Sequence, residues 1–138
     1  MTTYARQFVR SSRSVGLARD FVAARVGAAV GPDRADDIRV CVSELVTNAL
    51  VHGTPRGRRF RLHVTVDDGA VRIEVHDASS ASPHLRHPAP TDDHGRGLQL
   101  VDALADAWGT CDRDGLGKLI WASFKLPGVP PAATAVPA

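Results

Sequence analysis

The 138-residue chain is short of cysteine, of net charge and of long apolar runs, and each shortage removes a class of protein. Cys41 and Cys111 are its two cysteines, far apart and in no CxxC arrangement. They give no disulfide framework and read as two reduced, partly buried thiols of a cytoplasmic protein. No apolar run is long enough to span a bilayer, and the N-terminus carries no signal-peptide pattern, so a cytoplasmic protein without membrane attachment is expected. The formal net charge is only +2. The arginines are spread along the chain with one small cluster at Arg56, Arg58, Arg59 and Arg61, which reads as a solvated loop and strand edge, not a nucleic-acid surface. There is no internal repeat. The hydrophobic share of 43% and charged share of 23% suit one soluble domain. At this length about two-thirds of the unfolded surface can be buried, which is enough for a core without staples.

Hydrophobic periodicity orders the rest. Residues 4–10 read as a short strand. Ser12 or Ser14 can cap a helix that runs to about Val30, with Val15, Ala18, Val22, Val26 and Ala29 at helical spacing. Gly31-Pro32 breaks it. A second helix starts near Asp33 to Asp36, carries the core stripe Ile38, Val42, Leu45 and Ala49, and is stopped by Gly53 and Pro55. The period then changes to two: Phe60, Leu62, Val64 and Val66 alternate with polar residues. After the hairpin turn Asp67-Asp68-Gly69, Val71, Ile73 and Val75 do the same. Residues 78–96 form a long polar loop of the functional or mobile kind. Residues 97–108 read as a third helix, and 110–114 and 118–126 as two further strands. The Pro- and Ala-rich segment 127–138 is expected to be disordered. The fold class is therefore α+β: a two-layer sandwich of a mostly antiparallel sheet with helices on one face, occupying residues 1–126.

Three local features point to chemistry, each with a plain alternative. Glu44 and Asn48 lie one turn apart beside the apolar stripe, with His52 a turn further, where a polar helix margin would do as well. Asp77 continues the buried phase of Val71, Ile73 and Val75. A carboxylate there needs donors, such as an adenine amino group with a water, or serves as a cap for the following loop. In His94–Val101, HGRGLQLV, Gly95 and Gly97 flank Arg96 where loop becomes helix. Bare N–H groups at a helix start make an anion site, or mark a simple glycine-rich beginning. No GxxxxGK[ST] occurs, and no strand leads straight into the glycines as in a dinucleotide fingerprint. His84, His87 and His94, with His76 nearby, show no zinc-like spacing, and no zinc site is expected.

Taken together, ExxxNAxxHG, a strand ending in Asp and then GRGLxLV resemble the GHKL ATPase superfamily of gyrase and the sensor histidine kinases. Within it the chain looks like the small bacterial anti-sigma-factor serine/threonine kinases, over about residues 4–126. The resemblance implies the Bergerat, or histidine-kinase-like, ATPase fold with ATP and Mg²⁺ as cofactors. It places Asn48 on Mg²⁺, Glu44 as the base toward an attacking hydroxyl, and Asp77 on the adenine. Gly95, Gly97 and Leu98 fall at the nucleotide, Arg96 at the γ-phosphate, and residues 78–94 become an ATP lid. Where the family commonly has DxGxG, this chain has Asp77-Ala78-Ser79-Ser80-Ala81-Ser82-Pro83, which restricts backbone approach to the nucleotide. The implied partners are a sigma factor and an anti-sigma-factor antagonist, with a homodimer through the first strand and helix. The competing functions are a partner-sequestering module with little or no ATP binding and a stand-alone histidine-kinase catalytic domain.

Overall fold

The computed structural model describes residues 1–54, 57–77, 93–112 and 117–126, with backbone alone at Gly53, 93–97 and Asp112. Five strands and three helices follow one another as β1 (Thr2–Val9), α1 (Arg13–Val26), α2 (Pro32–Asn48), β2 (Arg59–Val66), β3 (Ala70–His76), α3 (Asp93–Leu104), β4 (Ala107–Asp112) and β5 (Lys118–Lys125). The strands form one sheet in the order β1-β2-β3-β5-β4, and every pairing is antiparallel. The helices lie on one face, with α2 packed between α1 and α3.

The period-two stretches are the inner strands. Leu62 faces Val75 and Val64 faces Ile73 across the β2–β3 ladder, all fully or almost fully buried beneath the helices. Each such side chain contributes about 1.5–3 kcal/mol by leaving water. The turn between them is fixed by Asp67, whose Oδ1 accepts the N–H groups of Gly69 and Ala70, both at 2.8 Å. That is an Asx turn, the local reason aspartate suits this position. In α2 the stripe Ile38, Val42, Leu45 and Ala49 is buried as expected, with Cys41 and Val46 beside it. Phe60 stacks on Phe8 at 5.4 Å between ring centroids, and Phe8 meets Phe21 edge-on at 6.1 Å, which ties β1 and α1 into the core.

The structure departs from the sequence reading at several boundaries. α1 stops at Val26, and Ala29 is exposed. Ser12 holds the N-cap position without a capping bond, while the buried Ser14 hydroxyl donates to the Val9 carbonyl at 2.7 Å. α2 begins at Pro32, which needs no N–H at the first helical position. α3 spans 93–104, not 97–108, and Trp108 belongs to β4. Helical spacing through Leu98, Val101, Leu104 and Ala105 conceals this end. What decides it is the ladder from Ala107 to Asp112 along β5, where Gly109 lies against the Trp121 ring; a Cβ on Gly109 would stand 3.1 Å from it. The segment 127–138 lies outside the described residues.

The thiols differ more than the sequence suggested. Cys41 is fully buried, and burial, helped by the Asp37 carboxylate and against the pull of Arg34, pushes its thiol up to about 12. Cys111 is exposed on β4. Alkylation of the native protein with iodoacetamide near pH 8 is therefore expected to label Cys111 and leave Cys41 unmodified until denaturant is added, because the thiolate is the nucleophile. Equal labelling of both thiols in the native state, read by peptide mass, would contradict this packing.

Candidate functional site

Hydrogen bonds locate the ends of the helices over the sheet. At the end of β1, Arg10 Nε donates to the Thr54 carbonyl at 2.8 Å, just beyond the last turn of the α2 segment. The C-terminal end of α2 therefore lies over the sheet end made by the close of β1, the start of β2, the close of β3 and the start of β5. Asp77 sits at this same end. It is buried, its N–H donates to the Lys118 carbonyl at 3.0 Å, and its Oδ1 accepts the Lys118 N–H at 3.2 Å. The aspartate thus clasps the end of β3 to the start of β5, a structural duty the sequence did not disclose.

The third helix is held at the opposite end. Arg34, in the first turns of α2, donates to the Leu104 carbonyl at 2.8 Å, to Asp37 at 3.0 Å and to Asp106. Its guanidinium lies 5.1 Å from the centroid of the Phe124 ring. Asp106 in turn accepts the Lys125 N–H at 2.6 Å. Its C-terminus is thus fixed at the beginning of α2, along which α3 packs. The last turn of α2 and Asp77, distant in sequence, share one sheet end.

Each predicted site residue can now be placed. Asn48 is the last residue of α2 and is buried; Glu44, one turn earlier, is half-buried. Directly after Asn48 the helix widens into a single π-turn, Ala49–Gly53, closed by the Thr54 N–H on the Ala49 carbonyl at 2.7 Å. The sequence reading carried an ordinary α-helix to Gly53. Such π-turns recur at functional sites because they redirect a helix at one residue. His52 is half-buried within this turn. Gly95 and Arg96 lie in the opening turn of α3 and not in a loop before it, while Gly97 is its fifth residue, whose N–H falls within the helical ladder. Helix geometry leaves the first N–H groups there without intrahelical partners, at the positive end of the helix dipole. The side chain of Arg96 and the lid residues 78–92 lie outside the described residues. Leu98 is half-buried and packs against the core.

Sequence reasoning missed Arg34, Asp106 and Arg10, the residues that aim the two helices. Only long-range pairing reveals them. The Asp106 carboxyl is held below its ordinary 3.8, first by the Lys125 N–H and then, against some desolvation, by Arg34. A depressed carboxyl stabilises the fold above the unfolded-state value, and that contribution is lost as pH falls through the folded-state value. Asp106→Asn is therefore expected to cost below about 1 kcal/mol near pH 7, given the exposure of this pair. The difference from wild type should close below about pH 3.8, measured by urea unfolding at the two pH values. A gap that persists undiminished at pH 3 would assign the loss to something other than the charge.

An antiparallel five-stranded sheet with helices layered on one face and a helix bearing ExxxN at its C-terminal end defines a GHKL-type ATPase fold. The model of the histidine kinase-like ATPase domain matches residues 8–124, and the chain belongs to that family. It is 27% identical over 126 residues to the anti-sigma F factor of Clostridium botulinum (strain Eklund 17B / Type B), covering 86% of this chain and 76% of that protein. A second anti-sigma F factor, from Geobacillus thermodenitrificans (strain NG80-2), is 41% identical over 76 residues, 51% of each chain. In fold the chain is similar to the crystal structure of the RsbU and RsbW domains of Rv1364c from Mycobacterium tuberculosis, with a TM-score of 0.69 and 17% identity. That match covers 91% of this chain and spans about a third (33%) of the larger one. No described helix is long and apolar enough to cross a membrane.

Proposed function

We propose that residues 1–126 form an ATP-binding regulatory domain of the anti-sigma kind. In this reading it transfers the γ-phosphoryl group of Mg-ATP to a serine or threonine of an antagonist protein, and in its other state holds a sigma factor. The burial of Asn48 and Asp77 at one sheet end, within the matched histidine kinase-like ATPase domain, carries this proposal. The names of the anti-sigma F relatives support its partner half. The protein acts in the cytoplasm, and β1 with α1 supplies the surface for a homodimer.

The residues at hand suit the absent groups. Asn48 offers one hard amide oxygen, which fits an ion that takes few protein ligands and keeps waters and phosphate oxygens. Bound Mg²⁺ would supply charge neutralisation at the phosphates. Asp77, buried at the strand end, would accept a hydrogen bond from the adenine amino group. The opening turn of α3 offers a backbone donor at Gly95, Gly97 keeps the following turn clear of a side chain, and Leu98 continues that surface toward the core. Arg96 adds a positive charge where negative charge gathers on the γ-phosphate. Glu44, half-buried and one turn from Asn48, takes the proton of the attacking hydroxyl.

The test is calorimetric titration of the folded protein with ATP, with Mg²⁺ and with chelator. Micromolar binding that requires Mg²⁺ is the expected result. An intact protein that takes up no nucleotide would sink the kinase reading and leave a nucleotide-independent partner-binding module.

A further inference from the structure

The sheet face turned away from the helices carries a second cluster. His63 on β2 pairs with Glu74 on β3, and His76 stands two residues further along β3 on the same face. The His76 Nε2 lies 2.8 Å from Glu74 Oε1, and His63 Nδ1 lies 4.0 Å from the same oxygen. The two imidazole rings stack at 4.3 Å. One nitrogen from each ring and one carboxylate oxygen all fall within 4.8 Å of one another, and no other such group occurs among the described residues.

We propose that His63, Glu74 and His76 form a binding site for a divalent transition metal of the zinc type. Two imidazoles and one carboxylate are ligands this class accepts, at about 2.0–2.2 Å, and a tetrahedral arrangement at those lengths sets donor atoms about 3.3 Å apart. The His76–Glu74 pair needs to open slightly and His63 to approach slightly, motions within reach of half-exposed side chains. A cleft of about 240 Å³, lined by both imidazoles together with Gln7, Arg61 and Asp77, leaves room for a water at the fourth position.

The carboxylate is prepared for single-oxygen coordination. Arg72 Nε donates to Glu74 Oε2 at 2.7 Å, which leaves Oε1 toward the imidazoles. Arg72 is itself held over the Trp121 ring at 4.3 Å. A fixed outer partner of this kind orients a metal-binding carboxylate. A glutamate carboxyl is an anion at neutral pH, as a ligand must be. Neither half of the hairpin alone brings the trio together, so the histidine spacing along the chain did not show it.

The experiment is titration of the untagged protein with Zn²⁺, and with Co²⁺ followed by its visible absorption, in the presence of excess Mg²⁺. One ion per chain is expected, with Co²⁺ giving the intense bands of low coordination number. His63→Gln and His76→Gln should each weaken Zn²⁺ binding by at least about tenfold, while Mg²⁺-dependent ATP binding stays as in the wild type. Glu74→Gln provides a third variant should either histidine change disturb folding. Absence of Zn²⁺ binding by the folded wild type overturns the proposal. So does binding that survives both histidine changes, or that is lost only in Cys111→Ser.

Discussion

Asn48→Ala is expected to remove the Mg²⁺-dependent part of ATP binding and to leave a folded protein. Asn48 ends α2, is buried, and is followed at once by the π-turn that redirects the chain. Mg²⁺ binds through one or two protein oxygens, so a single lost amide oxygen has no substitute among neighbouring ligands. Changing a group that merely supports a metal ligand costs 10–100-fold in affinity, and removing a ligand is expected to cost at least about 100-fold, or about 2.7 kcal/mol. Titration in chelator should show the same weak residual binding for wild type and variant. Asn48→Asp, which keeps an oxygen there, should recover part of the loss. If Asn48→Ala binds Mg-ATP as tightly as the wild type while its circular dichroism is native, Asn48 is not the metal ligand and the assignment fails.

The helix carrying Asn48 was legible in the sequence because its signal is local. Ile38, Val42 and Leu45 recur at helical spacing, and all three are buried against the sheet. The β2–β3 hairpin was legible for the same reason: strict alternation on both sides of an Asp-Asp-Gly turn admits one register. Asp77 was read as buried from the phase of Val71, Ile73 and Val75, and it is 3% exposed.

What stayed hidden depends on partners far along the chain. The end of α3 was set too late because Leu104 and Ala105 keep helical spacing while the pairing of β4 with β5 decides where the helix must stop. The π-turn after Asn48 uses the same residues an α-helix would, so no composition marks it. Arg34 looked like one of many scattered arginines, yet its contacts with Leu104 and Asp106 lie 70 and 72 positions away and fix the end of α3 against the start of α2. The pairing of His63 with Glu74 follows from the hairpin register, but that matters only once chemistry is sought on the uncovered face. Local pattern thus gave the scaffold, while the aiming of its parts came from non-local hydrogen bonds.

Glu44→Gln should separate binding from turnover. Leu45 and Val46, the residues after Glu44, are fully buried, so α2 is pinned and Glu44 cannot drift with respect to Asn48. Catalysis rewards such fixed placement, since a general base works only within hydrogen-bond reach of the proton it takes. Glutamine keeps the shape and an oxygen acceptor but is far too weak a base to receive the proton. The Kd for Mg-ATP, which does not depend on that proton, is expected to stay within about threefold of wild type. The rate of ADP formation, with a seryl hydroxyl or water as acceptor, is expected to fall on the order of 10²–10⁴-fold. A merely structural glutamate predicts the reverse pattern: altered unfolding midpoint and altered Kd, with the rate at saturating ATP unchanged. Equal saturating rates for Glu44→Gln and wild type would therefore remove Glu44 from the chemistry while leaving the Asn48 result untouched, because the two tests read different steps on one helix.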